Sequence, residues 1–107
     1  MDKASDKTYS SHILEALTEI QSFIERMTFE QFETDIKTQR AVTRDLEVIG
    51  EAAKRLSDEF KDKHGEIPWR HVAGMRDFLI HDYMEVDLKE VWKAATEDIE
   101  DLKKALE

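Results

Sequence analysis

Arg40-Ala41-Val42-Thr43-Arg44-Asp45-Leu46-Glu47-Val48-Ile49-Gly50-Glu51-Ala52-Ala53 reads as the body of a long amphipathic helix. Its apolar stripe, Val42, Leu46, Ile49, Ala53, Leu56 and Phe60, recurs at three- and four-residue spacing, the period of one helix face. The pattern predicts a helix over 37–60, about 36 Å long at ~1.5 Å per residue. Such a helix is as long as a small domain is wide, so its stripe needs partners from the rest of the chain. Gly50 falls in its middle, where glycine costs about 1 kcal/mol relative to alanine. A close helix–helix crossing at that point would explain the choice.

The partners lie on either side. Upstream, Ile13, Leu14, Leu17, Ile20, Ile24 and Met27 form a second stripe. Thr28 with Gln31 three residues later is a capping box, which opens a short helix carrying Phe29 and Phe32. Downstream, His64-Gly65-Glu66 reads as a loop, and Pro68 suits the first position of a further helix with Trp69, Val72, Met75 and Leu79. Asp87 with Glu90 signals the last helix, whose stripe is Leu88, Val91, Trp92, Ala95, Ile99, Leu102 and Leu106. No segment alternates strictly, so no strand competes. The expectation is all-α: a bundle of four long helices and one short one. The 107 residues suit a single domain, 1–107, with the first eight frayed.

Composition narrows the function. The chain has no cysteine, so neither disulfides nor thiolate metal sites are available, which fits a reducing cytoplasm. Met1 to Asp6 has no apolar core of a secretory signal, and no run approaches a membrane span. A cytoplasmic protein without a membrane partner is expected. The net charge of −9 excludes a protein that coats nucleic acid through bulk electrostatics. A nucleic-acid substrate would need a local basic site. From Pro68 to Tyr83, Arg70 and Arg76 balance Asp77 and Asp82, with His71 and His81 in addition, whereas Glu85 to Glu107 carries eight acids against four lysines.

Gly74-Met75-Arg76-Asp77-Phe78-Leu79-Ile80-His81-Asp82-Tyr83 lies in that neutral window. Arginine binds phosphate as a rigid, permanently charged fork, and histidine moves protons near neutral pH. On an ideal helix through 72–83, Arg76 falls within about 40° of the apolar stripe, and His81 stands about 140° from Arg76. The two would share a pocket only if the helix loosens near His81 or a second subunit supplies the far wall. Arg76 reads either as a functional cation or as half of a buried ion pair. His81 reads either as an acid–base group or as a surface histidine at a helix end, and Tyr83 as a core aromatic with its hydroxyl at the rim. His12, His64 and His71 are assigned no role; Arg70 and His71 could assist a phosphate but suit a solvated face. Asp77 and His81 alone do not make a metal site, so no metal and no cofactor is expected. There is no glycine-rich phosphate loop.

The spacing Arg76-x-x-x-x-His81-x-Tyr83 resembles the signature of the HepT-type ribonucleases of the HEPN superfamily. So do the blocks Arg40 to Ala53, Ile67-Pro68-Trp69-Arg70-His71-Val72-Ala73-Gly74-Met75-Arg76, and Asp87-Leu88 through Val91-Trp92, in that order. The resemblance implies a homodimeric helical bundle. It further implies a metal-independent endoribonuclease, the toxin of a toxin–antitoxin pair. Arg76 and His81 match the catalytic pair, and Asp77 the polar supporting position. Tyr83 matches a tyrosine that a partner, a minimal nucleotidyltransferase antitoxin, modifies with AMP. The alternative is a non-catalytic dimeric helical module that binds a nucleotidyltransferase or a nucleotide.

Overall fold

The two strongest apolar stripes pair with each other. The structure, a computed structural model, describes residues 3–75, 77, 80–82 and 85–107, with side chains for 5–75, 77 and 87–107. Helix α1 (Lys3–Phe23) packs along α3 (Ile36–Arg55), with the short α2 (Phe29–Glu33) between them in the chain. Ile13, Leu17 and Ile20 of α1 meet Val42, Leu46 and Ile49 of α3 in one core, and all six are fully buried. Helix α1 reaches into the stretch read as frayed. Arg26, in the left-handed region at φ 62°, ends the turn that follows α1. The capping box is present: the Gln31 backbone N–H donates to Thr28 Oγ1 at 3.2 Å, and the Thr28 N–H donates to Gln31 Oε1 at 2.9 Å.

The single helix expected over 37–60 is two. Leu56 turns extended at φ −67°, ψ 143°, and Ser57 starts α4 (Asp58–Lys63) as its N-cap. The reason lies 51 residues away. The Asp6 carboxylate accepts the Ser57 backbone N–H at 2.8 Å and the Ser57 hydroxyl at 2.6 Å, while Ser57 Oγ accepts the Phe60 N–H. The hydroxyl and then the N–H of Ser57 hold the Asp6 carboxyl below its usual range. Phe60 therefore leaves the stripe of α3 and packs its ring against Trp69, 6.2 Å between centroids.

The fourth long helix expected from Pro68 to Tyr83 is also interrupted. Helix α5 is Trp69–Ala73, and Gly74 closes it by donating to the Arg70 and Val72 carbonyls. Met75 and Asp77 are helical again, but Ile80–Asp82 is a strand, β1, paired antiparallel with β2 (Glu85–Val86). Ile80 pairs with Val86 and Asp82 with Glu85, so the chain reverses just before the next helix cap at Asp87. His81 thus sits on extended backbone, and the 140° separation of an ideal helix does not describe it.

The last helical run is α6 (Leu88–Lys93), a π-helical turn (Ala94–Asp98) and α7 (Ile99–Leu106). The Asp87 carboxylate caps α6 by accepting the Glu90 N–H at 3.1 Å. Phe32 packs against Trp92 at 5.1 Å between ring centroids, tying α2 to α6. Apart from the two-stranded ladder, the described fold is all-α.

One charged residue is buried in this core. Asp45 is 8% exposed, and its Oδ2 has no hydrogen-bond partner. Burial, then a hydrogen bond with the Glu19 carboxyl and the repulsion between the two, push the Asp45 carboxyl up to about 7, against the pull of Arg44. Two carboxyl groups can bond only through a shared proton. Folding therefore takes up a proton that the unfolded Asp45, near 3.8, has released. Stability falls as pH rises from about 4 through about 7, and the dependence vanishes on either side. Asp45→Asn, whose amide can donate to Glu19, should stabilise the protein at pH 8 by about 1–3 kcal/mol. At pH 5 it should change stability little. Urea unfolding at both pH values checks this; equal effects at the two would show that the carboxyl pair does not titrate.

Candidate active site

The route to the site begins at Pro68. Its fixed φ, here −77°, lets Trp69 start α5, and Trp69 Nε1–H donates to the His64 carbonyl at 3.1 Å. This bond ties the loop after α4 to the helix. Val72 and Met75 then anchor the segment in the core at 4% and 1% exposure. The close crossing expected at Gly50 is found. A Cβ on Gly50 would stand 3.3 Å from the Ala73 carbonyl oxygen and 3.4 Å from that of Val72. The carbonyl end of α5 thus rests directly on α3, one residue before Gly74 and three before Arg76.

Asp77 is exposed, and its backbone N–H donates to the Gly74 carbonyl at 2.9 Å. The backbone of His81 lies in β1. Arg76 and Tyr83 lie outside the described residues, as does the side chain of His81. The structure gives Arg76, His81 and Tyr83 no mutual geometry. What it does position is their support: α5 on α3 before them, and the ladder with the Asp87 cap after them.

The sequence reading missed a feature beside this support. His71 Nε2 faces Asp98 Oδ2 at 3.7 Å, joining α5 to the π-helical turn. That turn carries Thr96, whose hydroxyl donates to the Trp92 carbonyl at 2.7 Å, a bond that competes with regular helix geometry. The pair borders a cavity of about 170 Å³ with a floor of Ile67, Val72, Met75 and Leu102. With Asp98 and Asp101 on its lining, the cavity is no place for a phosphate, so His71 does not extend a phosphate site here. A lone threonine in a helical stripe was the only signal of the turn. Among the described residues no group of three or more His, Asp or Glu could hold a metal ion. Nor is any described helix long and apolar enough to cross a membrane.

A small acidic helical bundle with an Arg-x-x-x-x-His segment carried beyond a short helix on its long central one defines a narrow class. The chain belongs to the ribonuclease HepT-like family, whose family model matches residues 13–107. It is 50% identical, over 94% of its length and 92% of the relative's, to a protein of Thermococcus cleftensis named probable ribonuclease HepT. A relative from Caldanaerobacter subterraneus, provisionally named an RNase, is 40% identical over 92% of this chain and 88% of its own. Another provisionally named RNase, from Methanocaldococcus jannaschii, is 42% identical over 86% of this chain and 76% of its own. No solved structure matches the chain.

The Gly50 contact generates a direct test. Gly50→Ala should stay within about 1 kcal/mol of wild type, because helix propensity offsets a tight Cβ contact. Gly50→Leu should destabilise by more than about 2 kcal/mol, since the carbonyls of Val72 and Ala73 are backbone and cannot move aside alone. Urea midpoints decide it; a Leu variant as stable as wild type would mean that α5 does not rest on α3.

Proposed function

We propose that the protein is an endoribonuclease that cuts RNA without a metal, as the toxin of a toxin–antitoxin pair. The observation that carries this reading is Arg76-x-x-x-x-His81-x-Tyr83 in a chain whose residues 13–107 match the ribonuclease HepT-like family. Relatives over nearly the whole length bear ribonuclease names. The window around the segment is neutral in a chain of net charge −9, so it does not repel an RNA strand as the acidic stretches do.

The chemistry follows from the residue types. A neutral histidine takes the proton from the ribose 2′-hydroxyl. The 2′-oxygen attacks the adjacent phosphorus, the bond from phosphorus to the 5′-oxygen breaks, and a protonated histidine returns a proton to that oxygen. The products are a 2′,3′-cyclic phosphate and a 5′-hydroxyl. In a homodimer, His81 of one protomer and His81 of the partner subunit would divide the two roles. Arg76 stabilises the charge that grows on the phosphoryl oxygens. Asp77, exposed beside Arg76, orients the pair. DNA lacks the attacking hydroxyl and is not cut.

Arg76→Ala and His81→Ala should each lower RNA cleavage by more than about 100-fold, the typical scale for losing an acid–base group or a charge-stabilising donor. Melting temperature should be nearly unchanged, and EDTA should not inhibit. Cleavage by His81→Ala at the wild-type rate would remove the proton role. Wild-type protein that leaves RNA intact under all conditions would favour a non-catalytic module that binds a nucleotidyltransferase or a nucleotide.

Control through Tyr83 belongs to the same reading. A nucleotidyltransferase antitoxin would place AMP on the Tyr83 hydroxyl, adding a phosphate that can pair with arginine and a base that blocks the RNA path. Coexpression with such an enzyme should add one AMP mass per chain at Tyr83 and silence cleavage, while Tyr83→Phe stays active. If mass spectrometry finds no adduct and Tyr83→Phe is silenced as well as wild type, the partner acts by occlusion.

A further inference from the structure

The break between α3 and α4 rests on two torsions. Leu56 stands at φ −67°, ψ 143° and Ser57 at φ −69°, ψ 159°. Both φ values are already those of an α-helix; only the two ψ angles, about −42° in a helix, are not. Nothing from Leu56 to Lys63 forbids a helix: no proline or glycine falls there, and the apolar period of α3 runs on through Leu56 to Phe60. The backbone groups have partners either way. In the break, the Ser57 N–H donates to the Asp6 carboxylate at 2.8 Å and the Phe60 N–H donates to Ser57 Oγ at 3.1 Å. In an unbroken helix the same two N–H groups would donate to the carbonyls of Ala53 and Leu56, four residues back. A joint of this kind has two satisfied states. The choice between them falls to the one partner that comes from elsewhere, the Asp6 carboxylate, which also accepts the Ser57 hydroxyl at 2.6 Å.

We propose that Asp6 is the latch of a two-state joint. Engaged, it holds α3 and α4 apart at Ser57; released, α3 runs on through α4 as one helix, and α5 loses the support that α4 gives it. Asp6 is then a positioning residue for the segment that carries Arg76 and His81, acting through Ser57. The link to cleavage rests on the proposed function; the two-state joint does not.

The contacts lead from the latch to α5 without a gap. Ser57 Oγ holds the Phe60 N–H, the Phe60 ring packs on Trp69 at 6.2 Å between centroids, and Trp69 opens α5. The loop between them is folded on itself: the Ile67 N–H and the Trp69 indole N–H both donate to the His64 carbonyl, each at 3.1 Å. At ~1.5 Å per residue, a helix carried to Lys63 would end about 20 Å along its axis from Gly50, where the carbonyls of Val72 and Ala73 now rest. Residues 64–68 reach back that far only when nearly straight, at about 3.3–3.6 Å each. The bonds to the His64 carbonyl would therefore open, Phe60 would leave Trp69, and α5 would be drawn along α3 from its seat at Gly50. The joint is a discrete element with two arrangements, which is what coupling between distant residues requires.

The test is heteronuclear NMR of the full chain, read at the Cα chemical shifts of Leu56 and Ser57 and at the Trp69 indole N–H. Asp6→Ala should move both Cα signals from extended to helical values and shift the indole signal. Ser57→Ala, which removes the hydroxyl and favours helix, should do the same, and serves if the first variant fails to fold. Asp6→Ala combined with Ser57→Pro should restore the wild-type indole signal. A φ of −69° suits proline, and the residue before a proline is driven to extended ψ, so the break is held without the latch. Where wild type cuts RNA, each single variant should cut about tenfold more slowly, since a misplaced group loses rate steeply, and the double variant should recover. Extended shifts retained at Leu56 and Ser57 in both single variants, coil-like shifts across 54–63 in place of helical ones, or an unmoved indole signal would overturn the joint. Cleavage lost alike in the single and double variants would overturn the positioning role. A wild type that cuts no RNA would overturn the proposed function and with it the link to cleavage, while the chemical shifts still decide the joint.

Discussion

The dry seam between α1 and α3 places everything else in the bundle. Ile13, Leu17 and Ile20 against Val42, Leu46 and Ile49 remove six branched side chains from water completely. At about 1.5–3 kcal/mol for each large apolar side chain, this is a large share of the apolar burial among the described residues. The remaining elements are short, and short helices are marginal in water without packing. Helices α2, α4 and α5 have five, six and five residues, so each exists because the seam gives it a surface. The seam also carries its own fault, Asp45, a carboxyl that the core can keep only by sharing a proton.

Two polar devices then convert the seam into a frame for the site. The Asp6 carboxylate reaches from α1 to the N-cap of α4 and holds the Ser57 hydroxyl and N–H together. It therefore fixes where α3 stops. Five residues before that stop, Gly50 admits the carbonyls of Val72 and Ala73. A side chain larger than alanine there would press α5 off α3, and Arg76 follows α5 within three residues in the sequence. The end of α5, the last described turn before the candidate catalytic arginine, is thus seated by a glycine on another helix. That explains an otherwise costly residue at the centre of α3.

What the sequence made legible was local. The Thr28–Gln31 box and the Asp87 cap depend on residues three apart, and both are found with the donors and acceptors that spacing demands. The buried stripes of α1 and α3 follow from period alone. The break after Arg55 did not show, because Phe60 continues the apolar period and the interaction that ends the helix comes from Asp6. Ser57 three residues before Phe60 was a cap signal, but a serine inside an unbroken stripe is outweighed by the stripe. The strand at Ile80–Asp82 was hidden for a related reason: the apolar residues before His81 suit a helix and a strand equally, and the tight return to Asp87 decides between them. Of the candidate site, the residue types and their order were legible, while the pairing of His71 with Asp98 across the π-helical turn depends on contact between elements and was not.

An enzyme of net charge −9 acting on a polyanion, as proposed, sets its own electrostatic terms. It gains little from counterion release over its surface, so RNA is not gathered by a general field. Glu97 and Asp98 of the π-helical turn and Glu100 and Asp101 of α7 would repel the backbone of a strand from that side of the bundle. The window from Pro68 to Tyr83 is neutral and carries no such repulsion. Catalysis there must rest on position, with one guanidinium and a pair of imidazoles, because the protein supplies no diffuse attraction to compensate for a misplaced group. That requirement returns to the packing. A tenth of a nanometre lost between Gly50 and the Ala73 carbonyl would fall on backbone only three residues before the one permanent cation that the proposed chemistry uses.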